Sequence, residues 1–172
     1  KACALFCYVG DVTIKDLHVK GKITGGIHSA GLIGQCIGGS RTITINRVWV
    51  STDVNASSTT HAGGIIGHSN VATLVMNDCR FDGSITTNNQ NSSSYIGCIV
   101  GWCNGGGWTF HRVYNCCNSV TAWRIWFCGD HNSNTGAVGP WGSNSKSSLT
   151  ITNTVWSDWG TTYYNKKDQN EV

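Results

Sequence analysis

The strongest constraint on this chain is a short stretch that returns along it. "VTIKDLHVKGKI" begins at Val12, "ITINRVWVSTDV" at Ile43 and "LVMNDCRFDGSI" at Leu74, so each copy starts 31 residues after the one before. Looser copies begin at Trp108 and Leu149, which lie 34 and 41 residues further along. A period of this length is typical of solenoids, in which each unit buries its apolar face against the next.

Within each copy, apolar and polar residues alternate with a period of two, which indicates half-buried β-strands. One apolar column of the aligned copies begins at Val12. The next apolar column is the predicted core ladder, in which equivalent side chains stack inside the solenoid. It consists of Ile14, Ile45, Met76, Phe110 and Ile151.

Two residues after the core ladder, the alternation changes phase and then resumes. A phase change within a continuing strand pattern predicts a corner, and four charged residues occupy it: Asp16, Arg47, Asp78 and Arg112. If equivalent residues stack at the strand spacing of about 4.8 Å, opposite charges become neighbours at every step. We therefore predict a corner charge ladder.

A second recurring element is rich in glycine. "SAGLIGQCIG", "HAGGIIGHSN" and "YIGCIVGWCN" each hold an apolar pair between glycines. This pattern predicts a further strand per unit, with glycines that allow tight corners or positive φ. Polar insertions such as "NASSTTHA" and "TTNNQNSSS" precede this element, so we expect polar loops along one edge of the solenoid.

These patterns predict an all-β protein, a parallel β-solenoid (β-helix) of about five rungs with Gly-rich corners. We expect one domain over residues 1–160, followed by a polar tail or linker at 161–172. The predicted units lie near 7–40, 41–71, 72–106, 107–147 and 148–160. The net charge of +3 is small and scattered, which does not favour nucleic-acid binding. No apolar run approaches the length that spans a bilayer, so we expect no membrane insertion.

The nine cysteines lack the paired CxxC spacing of zinc knuckles. Disulfides in an exported protein are the interpretation we favour, with at least one thiol left over by the odd count. Together with the low share of charged residues, 12%, this predicts an extracellular or cell-surface location.

The Gly-Gly-Ile-Ile-Gly element followed by Leu-Val-Met-Asn-Asp-Cys-Arg-Phe-Asp-Gly-Ser-Ile resembles the GLUG-type and related Gly-rich repeats of large bacterial surface proteins. The resemblance covers about residues 7–160 and is clearest in the middle three units. It implies a β-solenoid of an adhesin-like exported protein and supplies no catalytic residues.

Catalytic chemistry is not expected. Asp16, Asp78 and Asp82 lie close to basic residues in the repeat alignment, which favours ion pairs over the clustered carboxylates of a polysaccharide-cleaving β-helix. The six histidines fall in different columns, apart from the glycine-rich zone shared by His28 and His61, and no HExxH motif occurs. We therefore expect no metal site and no cofactor. Thr42-Ile43-Thr44 is the one full TxT triplet, so an ice-binding face is a weaker alternative.

An outward column after the corner contains His18, Trp49, Arg80 and Tyr114. With Trp102, which is also outward by phase, it gives candidate binding residues Trp49, Tyr114, Trp102 and Arg80. The leading hypothesis is a non-catalytic structural or adhesive module whose partners are other copies of itself or adjoining repeats. The alternative is a carbohydrate-binding module that holds host or environmental glycans on exposed aromatic rings.

Overall fold

The computed structural model describes residues 1–56, 61–87, 95–103, 107–122, 126–130, 148–152, 155–156 and 162–163. Every regular element within these ranges is a β-strand. The strands are β1 (Ala2–Cys3), β2 (Phe6–Val9), β3 (Val12–Thr24), β4 (His28–Ala30), β5 (Ile33–Cys36), β6 (Thr42–Ala56), β7 (His61–Gly63), β8 (Ile66–Ser69), β9 (Thr73–Phe81), β10 (Ser84–Thr87), β11 (Tyr95–Cys103), β12 (Gly107–Asn115), β13 (Ser119–Ala122), β14 (Trp126–Asp130), β15 (Ser148–Thr152), β16 (Val155–Trp156) and β17 (Thr162–Tyr163).

The strands form two parallel sheets that wind into a β-solenoid of about 3 turns. The 8-stranded sheet has the order β1-β4-β7-β11-β8-β5-β2, with β14 beside β11. The 9-stranded sheet has the order β15-β12-β9-β6-β10-β13-β17, with β3 beside β6 and β16 beside β12. The predicted all-β parallel solenoid is therefore confirmed. The five predicted rungs include segments outside the described residues, 131–147 among them.

Equivalent residues of successive turns are paired in register along the core ladder. Ile14 pairs with Ile45, Ile45 with Met76, and Met76 with Phe110, whose backbone pairs with that of Ile151. The first four side chains of this ladder are buried. They belong to the same apolar cluster as the buried residues of the opposite sheet, which include Ile33, Ile66 and Val100.

The corner residues have backbone conformations that side chains other than glycine rarely adopt. The φ angles of Asp16, Arg47, Asp78 and Arg112 are 56°, 52°, 55° and 51°, which is the left-handed region. One left-handed residue reverses the alternation without ending the strand. Leu17, Val48, Cys79 and Val113 follow on the inner side, and all but the half-buried Leu17 are buried.

Ion pairs across the turns join these corner residues. Arg47 donates from Nε and Nη2 to the two carboxylate oxygens of Asp16, at 2.5 and 2.9 Å. Arg112 makes the same two-pronged contact with Asp78, with Nη2 2.8 Å from Oδ2. These arginine hydrogen bonds are the main reason that the pKa of each carboxyl lies below its ordinary value of 3.8. The pairs are solvent-exposed, so they fix register more than they add stability.

Gly64 of the repeated element serves close packing rather than an unusual backbone angle. Left-handed φ occurs at Gly21, Gly25, Gly26 and Gly38, and not at Gly64 of the repeated element. A Cβ at Gly64 would overlap the carbonyl oxygen of Cys98 and the ring of Phe81. The prediction of Gly-rich corners is thus unconfirmed, since the corner with left-handed residues carries charged side chains.

Disulfides are not found among the described residues. Free thiols are present at Cys3, Cys7, Cys36, Cys79, Cys116 and Cys117. Cys36 and Cys79 are buried in the apolar cluster, where burial raises their thiol pKa values to about 12 and about 11. They pack as small apolar side chains, so the predicted disulfide framework is not supported.

Gly64→Ala is expected to destabilise the fold by about 3 kcal/mol or more, because the methyl group would meet a backbone carbonyl that cannot move without disturbing the neighbouring strand. Gly39→Ala is the matched control, since no atom lies within 4 Å of a Cβ there. Urea unfolding of both variants measures the effect. Equal midpoints for the two variants would contradict this packing argument.

Replacing Arg47 with glycine or with alanine removes the same ion pair but leaves different backbone costs. Because the φ angle of residue 47 is 52°, the glycine variant should be more stable than the alanine variant by about 1 kcal/mol. Denaturant unfolding of the two variants gives this difference directly. An alanine variant as stable as the glycine variant would show that the left-handed corner carries no strain.

Candidate functional site

The outward column predicted from the sequence forms a stack of side chains on the 9-stranded sheet. His18 pairs with Trp49, Trp49 with Arg80, and Arg80 with Tyr114 in consecutive strands. The His18 and Trp49 rings are parallel, with centroids 3.9 Å apart and an interplanar angle of 6°. The guanidinium carbon of Arg80 lies 5.0 Å from the centroid of the Trp49 ring.

Both faces of the Trp49 ring are therefore covered. Since β6 lies between β3 and β9, His18 and Arg80 contact opposite faces of the indole. The side chain is still exposed, at 41%. A sugar ring stacks on an aromatic face, and that face is occupied by the neighbouring turns.

A polar network holds the stack in place. Ser51 donates its hydroxyl hydrogen to Asp82 Oδ1 at 2.6 Å, and His18 Nε2 lies 2.9 Å from the same hydroxyl. Because that hydroxyl hydrogen is already donated, the Nε2–H tautomer of His18 is the one that fits. Arg80 pairs with Asp82 at 3.0 Å. Asp82 therefore serves as an ion-pair partner, which agrees with the interpretation of the carboxylates made from the sequence.

Trp102, the remaining candidate binding residue, lies in the other sheet. It belongs to β11 and pairs with His68 of β8. The two rings are stacked with centroids 4.1 Å apart, and the His61 ring is also 4.1 Å from Trp102. Trp102 and Trp49 thus belong to different sites, so the four predicted binding residues do not form one surface.

The side chains beside Trp102 form a three-histidine cluster, which consists of His28, His61 and His68. Nδ1 of His28 and Nδ1 of His61 are 2.9 Å apart. One ligand atom from each of the three imidazoles lies within 4.8 Å of the other two. Their rings are 4.7 to 5.5 Å apart, measured between centroids. An arrangement of three converging imidazoles is suited to a transition-metal ion.

Register and glycine packing together create this cluster. His28 and His61 are paired residues of β4 and β7, so they stack in one column. His68 belongs to β8, which follows β7 after a two-residue break. At Gly63 between the two histidines, a Cβ would overlap the carbonyl oxygen of Ile66. Because this glycine has no side chain, β7 and β8 approach closely and their histidines meet.

Burial favours the neutral form of His28. His61 and His68 are buried and His28 is half-buried. Burial lowers the pKa of His28 below its ordinary value of 6.5, and the charge of the N-terminal ammonium lowers it further. Neutral imidazole is the form that binds metal ions, so the lowered pKa of His28 suits a ligand role.

The predicted columns are confirmed, since His28 and His61 share one and His68 lies in another, but the contact between these columns was not predicted. The repeat alignment places His28 and His61 in one zone, but it places His68 in another column. The missed signal is the near-symmetry of "HAGGIIGH", residues 61–68. A tight bend of the chain at this glycine-flanked apolar pair brings His61 and His68 together.

Comparison with known proteins supplies no family for this chain. No protein-family model matches the sequence, and no curated protein or solved structure matches it either. Within the described ranges, no helix is long and apolar enough to cross a membrane.

Trp49→Ala is expected to lower the free energy of unfolding by about 1–2 kcal/mol, because it removes one aromatic stack and one cation–π contact. Trp49→Phe is the matched control and should keep most of this stability, since it retains an aromatic ring. Chemical unfolding measures both variants. A Trp49→Ala variant of unchanged stability would show that the stack is not structural.

Proposed function

We propose that this chain is a structural β-solenoid module that stacks end to end on further solenoid turns. The observation that carries this proposal is the open edge of the first turn. In the described ranges β3 pairs only with β6, β1 only with β4, and β2 only with β5. Each of these strands therefore has one edge whose backbone groups are left for another strand.

The side chains of this first turn support the same proposal. Leu5, Phe6, Tyr8 and Ile27 are exposed at 40% to 53%. One turn further on, Ile33, the partner of Phe6, is fully buried. A further turn placed on this end would cover the first turn in the way that the first covers the second.

The occupant that fits this edge is another parallel solenoid turn, from a second copy or from an adjoining repeat. A turn with the same spacing would extend all the parallel ladders at once. Alternating charges at the corner would also continue, because Asp16 has an acidic carboxylate free to accept a second arginine on its open side. The five rungs expected from the sequence and the Gly-rich repeat resemblance are part of this proposal.

An extracellular, adhesin-like and non-catalytic role belongs to the same proposal. It rests on the small share of charged residues and on the resemblance to surface-protein repeats, and the free thiols of the described residues do not add to it. Glycan binding is the weaker alternative, because His18 and Arg80 cover both faces of Trp49. The Asn-rich loops around Asn88 and Asn132, which the alternative also invokes, lie outside the described residues.

Phe6→Glu is expected to reduce end-to-end association at least about tenfold, because a carboxylate on the open edge would be buried without a partner. Sedimentation velocity over a range of protein concentrations measures the association. Ile37→Glu is the matched control, since Ile37 is exposed to a similar extent, 45%, and its N–H is already bonded to the carbonyl of Val9.

A wild-type chain that stays monomeric at the highest soluble concentration, with an open first turn, would argue against stacking of separate copies. Equal loss of association in both variants would show that the contact does not use this edge.

A further inference from the structure

We propose that the three-histidine cluster binds a divalent transition-metal ion of the zinc type, held by imidazole nitrogens of His28, His61 and His68. The proposal is independent of end-to-end stacking, because the three ligands come from β4, β7 and β8 of one chain. Trp102 covers the cluster on one side.

The distances fit such an ion after small movements. Zinc–imidazole bonds of 2.0–2.1 Å in a tetrahedral site place the ligand nitrogens about 3.3 Å apart. In the cluster one pair of nitrogens is 2.9 Å apart, and all three ligand atoms lie within 4.8 Å of one another. Side-chain rotations of about an ångström would bring the three nitrogens to equal distances from one ion.

The chemistry of the cluster also favours a metal. In the contact between the two Nδ1 atoms, one imidazole must donate its N–H and the other must accept. When a metal ion binds both Nδ1 atoms, the donating imidazole carries its hydrogen on Nε2 instead, so that both rings stay neutral. Three nitrogens without thiolate or carboxylate suit zinc, copper, nickel or cobalt and do not suit magnesium or calcium.

No carboxylate or thiol of the described residues joins the three histidines in this cluster. The ion would therefore keep one position for water or an external ligand, as in zinc sites with three protein ligands. His28 is half-buried, whereas His61 and His68 are buried, so the open position lies on the His28 side.

Trp102 provides a local reporter of binding. Its ring is 4.1 Å from both His61 and His68, between centroids. Bound Cu²⁺ quenches the fluorescence of a nearby indole, whereas a distant tryptophan keeps its emission. Trp102→Phe keeps an aromatic ring over the cluster and removes this reporter.

The test titrates the full chain, first stripped with EDTA and desalted, with Zn²⁺ by calorimetry. We expect one strong equivalent, and an affinity more than about tenfold weaker in His28→Gln and in His68→Gln. His18→Gln and His111→Gln are the controls, since these histidines lie outside the cluster, and they should bind as the wild type does. Zn²⁺ should also raise the melting temperature of the wild type more than that of His28→Gln.

Two spectroscopic measurements distinguish this site from binding to exposed thiols such as Cys7. The Co²⁺ complex should show visible d–d absorption without the near-ultraviolet thiolate-to-cobalt band, and Cys7→Ser should leave it unchanged. Stoichiometric Cu²⁺ should quench a smaller fraction of the emission in Trp102→Phe than in the wild type.

The absence of a stoichiometric Zn²⁺ site would overturn the proposal. Wild-type affinity in His28→Gln, or a thiolate band in the Co²⁺ spectrum, would do the same. If the buried change His68→Gln prevents folding, as seen by circular dichroism, the half-buried His28→Gln and the Trp102→Phe quenching decide the question alone.

Discussion

In-register parallel stacking is the constraint on which the rest of this structure depends. Every side chain has the equivalent residue of the next turn about 4.8 Å away along the solenoid. Apolar columns gain from this arrangement, because apolar partners pack on both sides. A column of like charges would instead accumulate repulsion, and the corner avoids this by alternating Asp16, Arg47, Asp78 and Arg112 in sequence. The same rule turns a column of aromatic rings into a stack, as it does for His18 and Trp49.

The all-β parallel solenoid could be predicted from the sequence, because in-register stacking places similar residues at a fixed spacing along the chain. The register of Ile45 with Met76 and the corner at Arg47 follow from an offset of 31 residues and a change of phase. The aligned columns do not give the distance between two different columns of the same turn. The contact between β7 and β8 depends on a fold-back at Gly63, and no periodicity reports it. For this reason the histidine cluster was missed, while the corner charge ladder was predicted residue by residue.

Two different physical causes determine the residue type at the corner and at Gly64. At the corner, charged residues have a left-handed φ that glycine would adopt more easily, and they form ion pairs between turns. At Gly63 and Gly64 of the glycine-rich element, ordinary backbone angles are combined with contacts that leave no space for a Cβ. Residue 64 is glycine because there is no space for a Cβ. Arg47 instead contributes an ion pair with Asp16. A sequence pattern of glycines alone does not distinguish these two causes, so the predicted Gly-rich corners stay unconfirmed.

The histidine cluster is a local departure from the repeat rather than a property of each turn. The column of His28 and His61 has Ala2 before it and Tyr95 after it, and the column of His68 has Gln35 before it and Trp102 after it. The three imidazoles of the cluster therefore lie at the place where these two columns of different composition come together. Tyr95 and Trp102 then place aromatic rings on the next turn, where a further imidazole would extend the column. A metal site built in this way would occupy one level of the solenoid, and among the described residues no further carboxylate, thiol or imidazole joins it from the neighbouring turns.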